Sequence, residues 1–202
     1  MSFSFVDDVQ FLNTVGQVAQ TEFTPKVLEI DQGYYPLAQM QKLGQVGVFA
    51  PHLNQYGNRL DLAILANAEV GRVCGTSAFL TWCHQVCGLY LDQSDNALLK
   101  GEFLNNHTLA NTFGGTALSN PMKSWANIEP MIFRAKKDGK NYQVSGTLPW
   151  ISHIAPNQYC GAVASVEGTN EQVFFLLKFD QERASKWQLH QCPTFLGMEG
   201  SS

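Results

Sequence analysis

The sequence predicts an α+β fold: an N-terminal all-α helical domain over residues 1–106, followed by an antiparallel β-sandwich or barrel domain over residues 107–202 that is incomplete. Three observations lead there. Apolar residues recur at helical spacing up to about Leu104, the period shortens to that of strands after Asn106, and turn residues such as Asp138-Gly139 and Glu167-Gly168-Thr169-Asn170 separate the later apolar runs.

In the first half, Val9, Leu12, Val15, Val18 and Ala19 predict a long helix from Phe5 to Ile30, with Asp7 and Asp8 favourable in its first turn and a bend near Pro25. Pro36 opens a second helix carrying Leu37, Met40 and Leu43, closed by Gly44 and Gly47, and residues 48–57 form an ordered loop. Asp61 caps a third helix whose inward face is Leu62, Leu65, Ala66, Glu69, Val70 and Val73. The fourth, from Thr76 or Ser77 to about Tyr90, is apolar almost all round and is the core helix of this domain. A short fifth runs from Ser94 or Asp95 to about Leu104.

In the second half, strands are expected at Thr108–Leu118, Met131–Lys136, Tyr142–Ser145, Tyr159–Val166, Val173–Phe179 and Lys186–Gln191. The Asp138-Gly139 pair marks a hairpin. No Gly/Ser linker lies near residues 105–108, so the two parts pack directly.

Composition narrows the function. A net charge of −4 gives no footprint for a polyanion, which argues against nucleic acid as partner. No apolar run reaches membrane-spanning length and the N-terminus has no signal-peptide pattern, so the expectation is a soluble, cytoplasmic protein. Five cysteines, an odd number and widely spaced, fit a reducing compartment. Cys83 and Cys87 share a helical face but have no second ligand pair, so they read as buried thiols rather than metal ligands.

The most informative residues are Ala117-Leu118-Ser119-Asn120-Pro121 and, later, Gly146-Thr147-Leu148-Pro149-Trp150-Ile151-Ser152. Trp150 offers a flat apolar wall for an isoalloxazine ring, and Ser119 and Ser152 offer short hydroxyls for its polar edge. On neighbouring strands they would make a flavin site. A Trp in a sandwich core with two incidental serines is the alternative reading of the same residues.

The order of these stretches resembles the acyl-CoA dehydrogenase family over nearly the whole chain. Leu43-Gly44-Gln45-Val46-Gly47-Val48-Phe49-Ala50-Pro51 with Tyr56-Gly57, and Ala68-Glu69-Val70-Gly71-Arg72, are similar to its helical domain. Residues 117–121 resemble its segment in which Ser or Thr precedes Glu-Pro, and residues 146–152 its Gly-x-Lys-x-Trp-Ile-Thr segment. The resemblance implies FAD held between a middle β domain and a C-terminal helical domain, with Leu118 and Ser119 on the pyrimidine side and Trp150, Ile151 and Ser152 against the ring. It also implies dehydrogenation of an acyl-CoA-like thioester as in fatty acid metabolism, an electron-accepting flavoprotein or other acceptor, and a homo-oligomer when complete.

Two departures qualify this. Where the family has small residues that admit the CoA chain, this sequence has Met122-Lys123-Ser124-Trp125-Ala126, and Leu148 replaces the usual Lys. Lys123 is the candidate for a CoA pyrophosphate and Trp125 for a substrate-side contact, while the same bulk leaves room for a flavin monooxygenase of the same fold. Residues 191–202 resemble the interior of the middle domain, so the C-terminal domain and its catalytic glutamate are expected to be absent. A non-catalytic fragment or assembly module that needs a partner chain is the third reading. Glu69 and Glu129 read as structural or solvated rather than as a base, and His52, His84, His107, His153 and His190 read as scattered, with His153 alone beside the site.

Overall fold

In the computed structural model, which describes residues 3–180, 187, 188 and 190, the long first helix is interrupted well before Pro25. Helix α1 runs Asp8–Val18, capped by the Asp7 carboxylate accepting from the Gln10 N–H at 2.9 Å. One π turn (Ala19–Phe23) and a 3-10 turn (Thr24–Lys26) then lead into α2, Val27–Asp31. The wider turn begins ahead of the proline, whose missing N–H and ring bulk oppose continuous α geometry. Helix α3 spans Leu37–Gln45 with Pro36 at its N-cap. It runs through Gly44, where Ala110 and the Leu109 carbonyl leave no room for a side chain: a Cβ would lie 2.4 Å from the Ala110 Cβ.

Helix α4 is Leu60–Gly71, so Asp61 lies in its first turn rather than at its cap. It buries Leu62, Ala63, Ala66 and Val70, whereas Leu65, expected inside, is exposed. The centre of the helical part is α5, Gly75–Gln93, with the Cys74 thiol capping Ser77. Phe79 and Trp82 are its apolar residues that remain at the surface. After a π turn (Leu99–Phe103), α6 covers Leu104–Thr108, which carries helix past the expected boundary at 106. Val15, Phe23, Ile30, Met40, Leu43, Phe49, Val70, Leu80 and Phe113 form the main helical core.

The five described strands form one sheet: β1 (Gly114–Thr116), β2 (Arg134–Asp138), β3 (Asn141–Ser145), β4 (Tyr159–Val166) and β5 (Gln172–Lys178). It is mixed rather than wholly antiparallel. β4 pairs antiparallel with β5 along Tyr159–Ser165, while its other edge pairs parallel with β1 at Tyr159–Gly161 and with β2 at Ser165 and Val166. β1 and β2 therefore lie end to end on one edge, separated by a chain excursion. β2 and β3 form the expected hairpin around Gly139-Lys140 and are largely exposed.

The two-sided burial of β4 explains its run of small and apolar residues. Tyr159 packs with Cys87 and Leu91, and Gly161 against Tyr90, all of α5; Cys160, Ala162, Ala164 and Val166 face a second core with Ala117, Phe133 and Ala135. The helical and β parts thus share a packed face, as the lack of a linker implied. The expected strand Lys186–Gln191 and residues 191–202 lie mostly or wholly outside the described residues.

Candidate functional site

The excursion between β1 and β2 carries the first motif. The Ala117 N–H closes the β1 ladder on the Gly161 carbonyl at 2.8 Å, Leu118 turns the chain, and Ser119–Trp125 form a short helix, α7. Pro121 is tolerated there because it falls in the first turn, where its missing N–H would have no helical partner. Buried Asn120 fastens the loop: its amide donates to Glu129 Oε1 at 2.9 Å and the Pro130 carbonyl at 3.0 Å, and its Oδ1 accepts from the Ile132 N–H at 2.9 Å. Thr108–Leu118 is thus strand over only three residues, and Ser119 stands on a helix, not a strand.

The second motif has no regular secondary structure either. Gly146 begins it at φ +151°, where a Cβ would strike the Phe133 ring at 2.6 Å. Leu148 and Ile151 pack into the same apolar cluster as Ala117, and the Ser152 carbonyl sits where Gly115 has no side chain, 2.1 Å from the Cβ an alanine would place there. Two motifs about thirty residues apart are thereby brought together, though not on neighbouring strands as expected. Trp150 is 53% exposed, Ser119 is exposed, and Leu118, Ile151 and Ser152 are half-buried.

The five candidate cofactor residues, Leu118, Ser119, Trp150, Ile151 and Ser152, are all uncharged. An exposed Trp150 indole, an exposed Ser119 and a half-buried Ser152 are groups that could hold the flat face and neutral polar edge of a flavin. Ser152 also bonds Cys83 of α5, whose thiol burial pushes up to about 12 and so keeps protonated. The substrate-side candidates lie on α7. Lys123 Nζ is 3.5 Å from Glu129, and Trp125, 53% exposed, donates its indole N–H to Gln172 Oε1 at 2.9 Å. Glu69 instead lines a polar cleft with Leu12, Asn13, Gly16, Gln20 and Arg72, the last at 3.5 Å.

The histidines correct the sequence reading. Four of the five come together under the site. His84 and His107 stack with centroids 3.7 Å apart, and His153 lies 5.9 Å from His84. His84 Nδ1 accepts from the Gly114 N–H at 3.1 Å, which requires the proton on Nε2, where it donates to the His107 carbonyl at 3.0 Å. His107 Nε2 donates to the His84 carbonyl at 2.9 Å, and its Nδ1 accepts from Tyr159 Oη at 2.5 Å. His153 Nε2 donates to the Leu80 carbonyl at 2.7 Å while Nδ1 accepts from Tyr35 Oη at 2.5 Å. His52 Nε2 donates to the Gln85 carbonyl at 2.9 Å.

Burial holds all four rings neutral, at about 4 for His52 and His153, about 3 for His107, and well below the usual histidine range for His84, which His107 and His153 lower further. Nothing local in the sequence marked them, since each ring comes from a different segment. His190 is exposed.

The description "Acyl-CoA dehydrogenase, N-terminal domain" matches residues 7–108. No curated protein sequence matches the chain significantly. Among solved structures, the chain is similar to butyryl-CoA dehydrogenase from Megasphaera elsdenii (TM-score 0.70, 19% identity, 88% of this chain and 50% of that one). It is similar to a glutaryl-CoA dehydrogenase from Mycobacterium smegmatis in complex with FADH2 (TM-score 0.73, 21% identity, 87% and 46%). It also matches a structure described as an electron transferring flavoprotein of Acidaminococcus fermentans (TM-score 0.72, 19% identity, 88% and 49%). The chain spans about half the length of these structures.

Proposed function

The chain belongs to the acyl-CoA dehydrogenase family, and on that premise we propose that it forms part of an FAD-dependent oxidoreductase that dehydrogenates an acyl thioester. The observation that carries the reading is the convergence of the two motifs: Ala117 packs with Leu148 and Ile151, and the Ser152 carbonyl rests over Gly115. In this reading Trp150 and Ile151 support one face of the flavin, and Ser119 and Ser152 offer hydroxyls to its polar edge. When bound, FAD supplies the hydride-accepting chemistry.

What this chain contributes is position and polarity. The Ser152 hydroxyl donates to the Cys83 sulfur of α5, which leaves its oxygen lone pairs to accept from an outside donor. Trp150 covers the ring face and keeps water from it. Lys123 is assigned to a CoA phosphate, for which it would exchange its partner Glu129, and Trp125 to the edge of the acyl entrance. Neither Glu69, paired with Arg72, nor Glu129, paired with Lys123 and Asn120, is assigned proton abstraction.

The electron acceptor is proposed to be a flavoprotein, the assembly a homo-oligomer, and the compartment a reducing one such as the cytoplasm, in keeping with the four cysteines among the described residues, all free and buried. One observation favours a second reading of the chemistry. Helix α7 puts Met122 and Trp125 at the surface where the family has small residues, which suits a flavin monooxygenase that does not admit the CoA chain. Anaerobic bleaching of the flavin by an acyl-CoA tests between them: bleaching supports the dehydrogenase. Reduction by an external reductant alone, followed by oxygen transfer, supports the monooxygenase.

A further inference from the structure

We propose that His153 is the positioning residue of the Trp150-Ile151-Ser152 wall, anchoring it to the helical part of the fold; the proposal rests on the flavin reading of that wall. The anchoring geometry is independent of any ligand. His153 follows Ser152 directly, is 1% exposed, and adopts φ +59°, a left-handed conformation that non-glycine residues hold only when the surroundings over-determine it.

Both ring nitrogens are engaged across the fold. Nε2 ties to the Leu80 carbonyl on α5, and Nδ1 takes the Tyr35 hydroxyl, which in turn accepts from Gln158 Nε2 at 3.1 Å. The ring also stacks on Phe113 at 5.6 Å, and Phe113 belongs to the helical core. Residues 146–158, which have no strand or helix of their own to fix them, are therefore held near their middle by one side chain that reaches α5, the Tyr35 turn and the core together.

The consequence is directional. The packing of Leu148 and Ile151 and the Ser152 carbonyl over Gly115 persist without His153, so a loss of its anchor loosens the wall rather than releasing it, while β1 and α5 stay as they are. A ring placed against that wall would sense the change as altered polarity and weaker hold. Tyr35 belongs to the same device through its hydroxyl on His153 Nδ1.

The test compares wild type, Tyr35→Phe and His153→Asn as full chains. Asn tolerates the left-handed conformation yet is too short for both anchors; Tyr35→Phe leaves the wall's own sequence untouched should His153→Asn fold poorly. Two readouts are taken: amide hydrogen exchange of residues 146–158, and the visible spectrum and affinity of added FAD. The proposal expects faster exchange confined to that segment, a shifted flavin band, and FAD affinity weaker by roughly tenfold, the equivalent of one lost hydrogen bond.

Wild-type FAD binding with variants unchanged in exchange, band and affinity would overturn the positioning role. Variants that loosen residues 146–158 yet hold FAD with the wild-type band and affinity would instead overturn the flavin reading of the wall and leave the anchor standing.

Discussion

His84 and His107 donate their ring Nε2–H groups to each other's backbone carbonyls, at 3.0 and 2.9 Å, with their rings stacked at 3.7 Å. The reciprocal bond ties the middle of α5 to α6. Each ring's second nitrogen extends the tie to the sheet, through the Gly114 N–H of β1 for His84 and the Tyr159 hydroxyl of β4 for His107. The boundary between the helical and β parts is thus closed by a satisfied polar network rather than by apolar contact alone, and such networks are costly to break once buried.

Removing the Tyr159 hydroxyl tests that network. Tyr159→Phe leaves His107 Nδ1 buried without a donor, so stability is expected to fall by about 1–3 kcal/mol with the fold retained. Urea denaturation of the purified chain measures it, and the unfolding slope should be unchanged because the same surface is buried.

The four neutral histidines make stability depend on acid. Their folded pKa values lie below the unfolded 6.5, so between pH 6.5 and about 4 the unfolded chain binds protons that the folded chain does not, and stability falls as pH falls. No loss is expected above pH 7. By pH 5 each of His52, His107 and His153 costs on the order of 2 kcal/mol, enough together to unfold a domain of ordinary stability. The raising effect of Asp92 on His52 is already contained in its value of about 4. Denaturation midpoints at pH 7.5, 6.5, 6.0 and 5.5 check the slope.

Gly115→Ala is expected to destabilise although it adds a single methyl. The added Cβ meets the Ser152 carbonyl at 2.1 Å, and since that contact is backbone, the 150–153 segment must move. A cost of about 1–3 kcal/mol follows from overpacking, and hydrogen exchange should rise in residues 146–158 before it rises in α5.

Lys123→Met separates a stability role from a ligand role. Its pairing with Glu129 at 3.5 Å is half exposed, so the change should alter stability by less than about 1 kcal/mol. Under the proposed function, affinity for a CoA thioester should fall while affinity for the corresponding pantetheine thioester, which lacks the pyrophosphate, should not.

What was legible in the sequence follows from how local each signal is. Pro36, the apolar run of α5 and the small and apolar run of β4 declared themselves, because capping chemistry and two-sided burial act within one segment. The π turn at Ala19–Phe23 was hidden, since its residues also fit a regular helix and only packing selects the wider turn. Helix α7 was hidden because it is only seven residues long and follows directly on an expected strand, so the sequence pattern places Ser119 on a strand. Parallel pairing of β1 and β2 with β4 depends on a crossover that no local pattern encodes. The histidine network was invisible for the same reason: His52, His84, His107 and His153 meet only after the chain has folded.

The most direct measurement is the visible spectrum of the folded chain after gel filtration with excess FAD, for wild type and Trp150→Ala side by side. The account predicts a flavin band that co-elutes with wild type and is lost or strongly reduced in Trp150→Ala, with the two proteins equally folded by circular dichroism. Equal flavin retention by wild type and Trp150→Ala would contradict the site assigned to Leu118, Ser119, Trp150, Ile151 and Ser152.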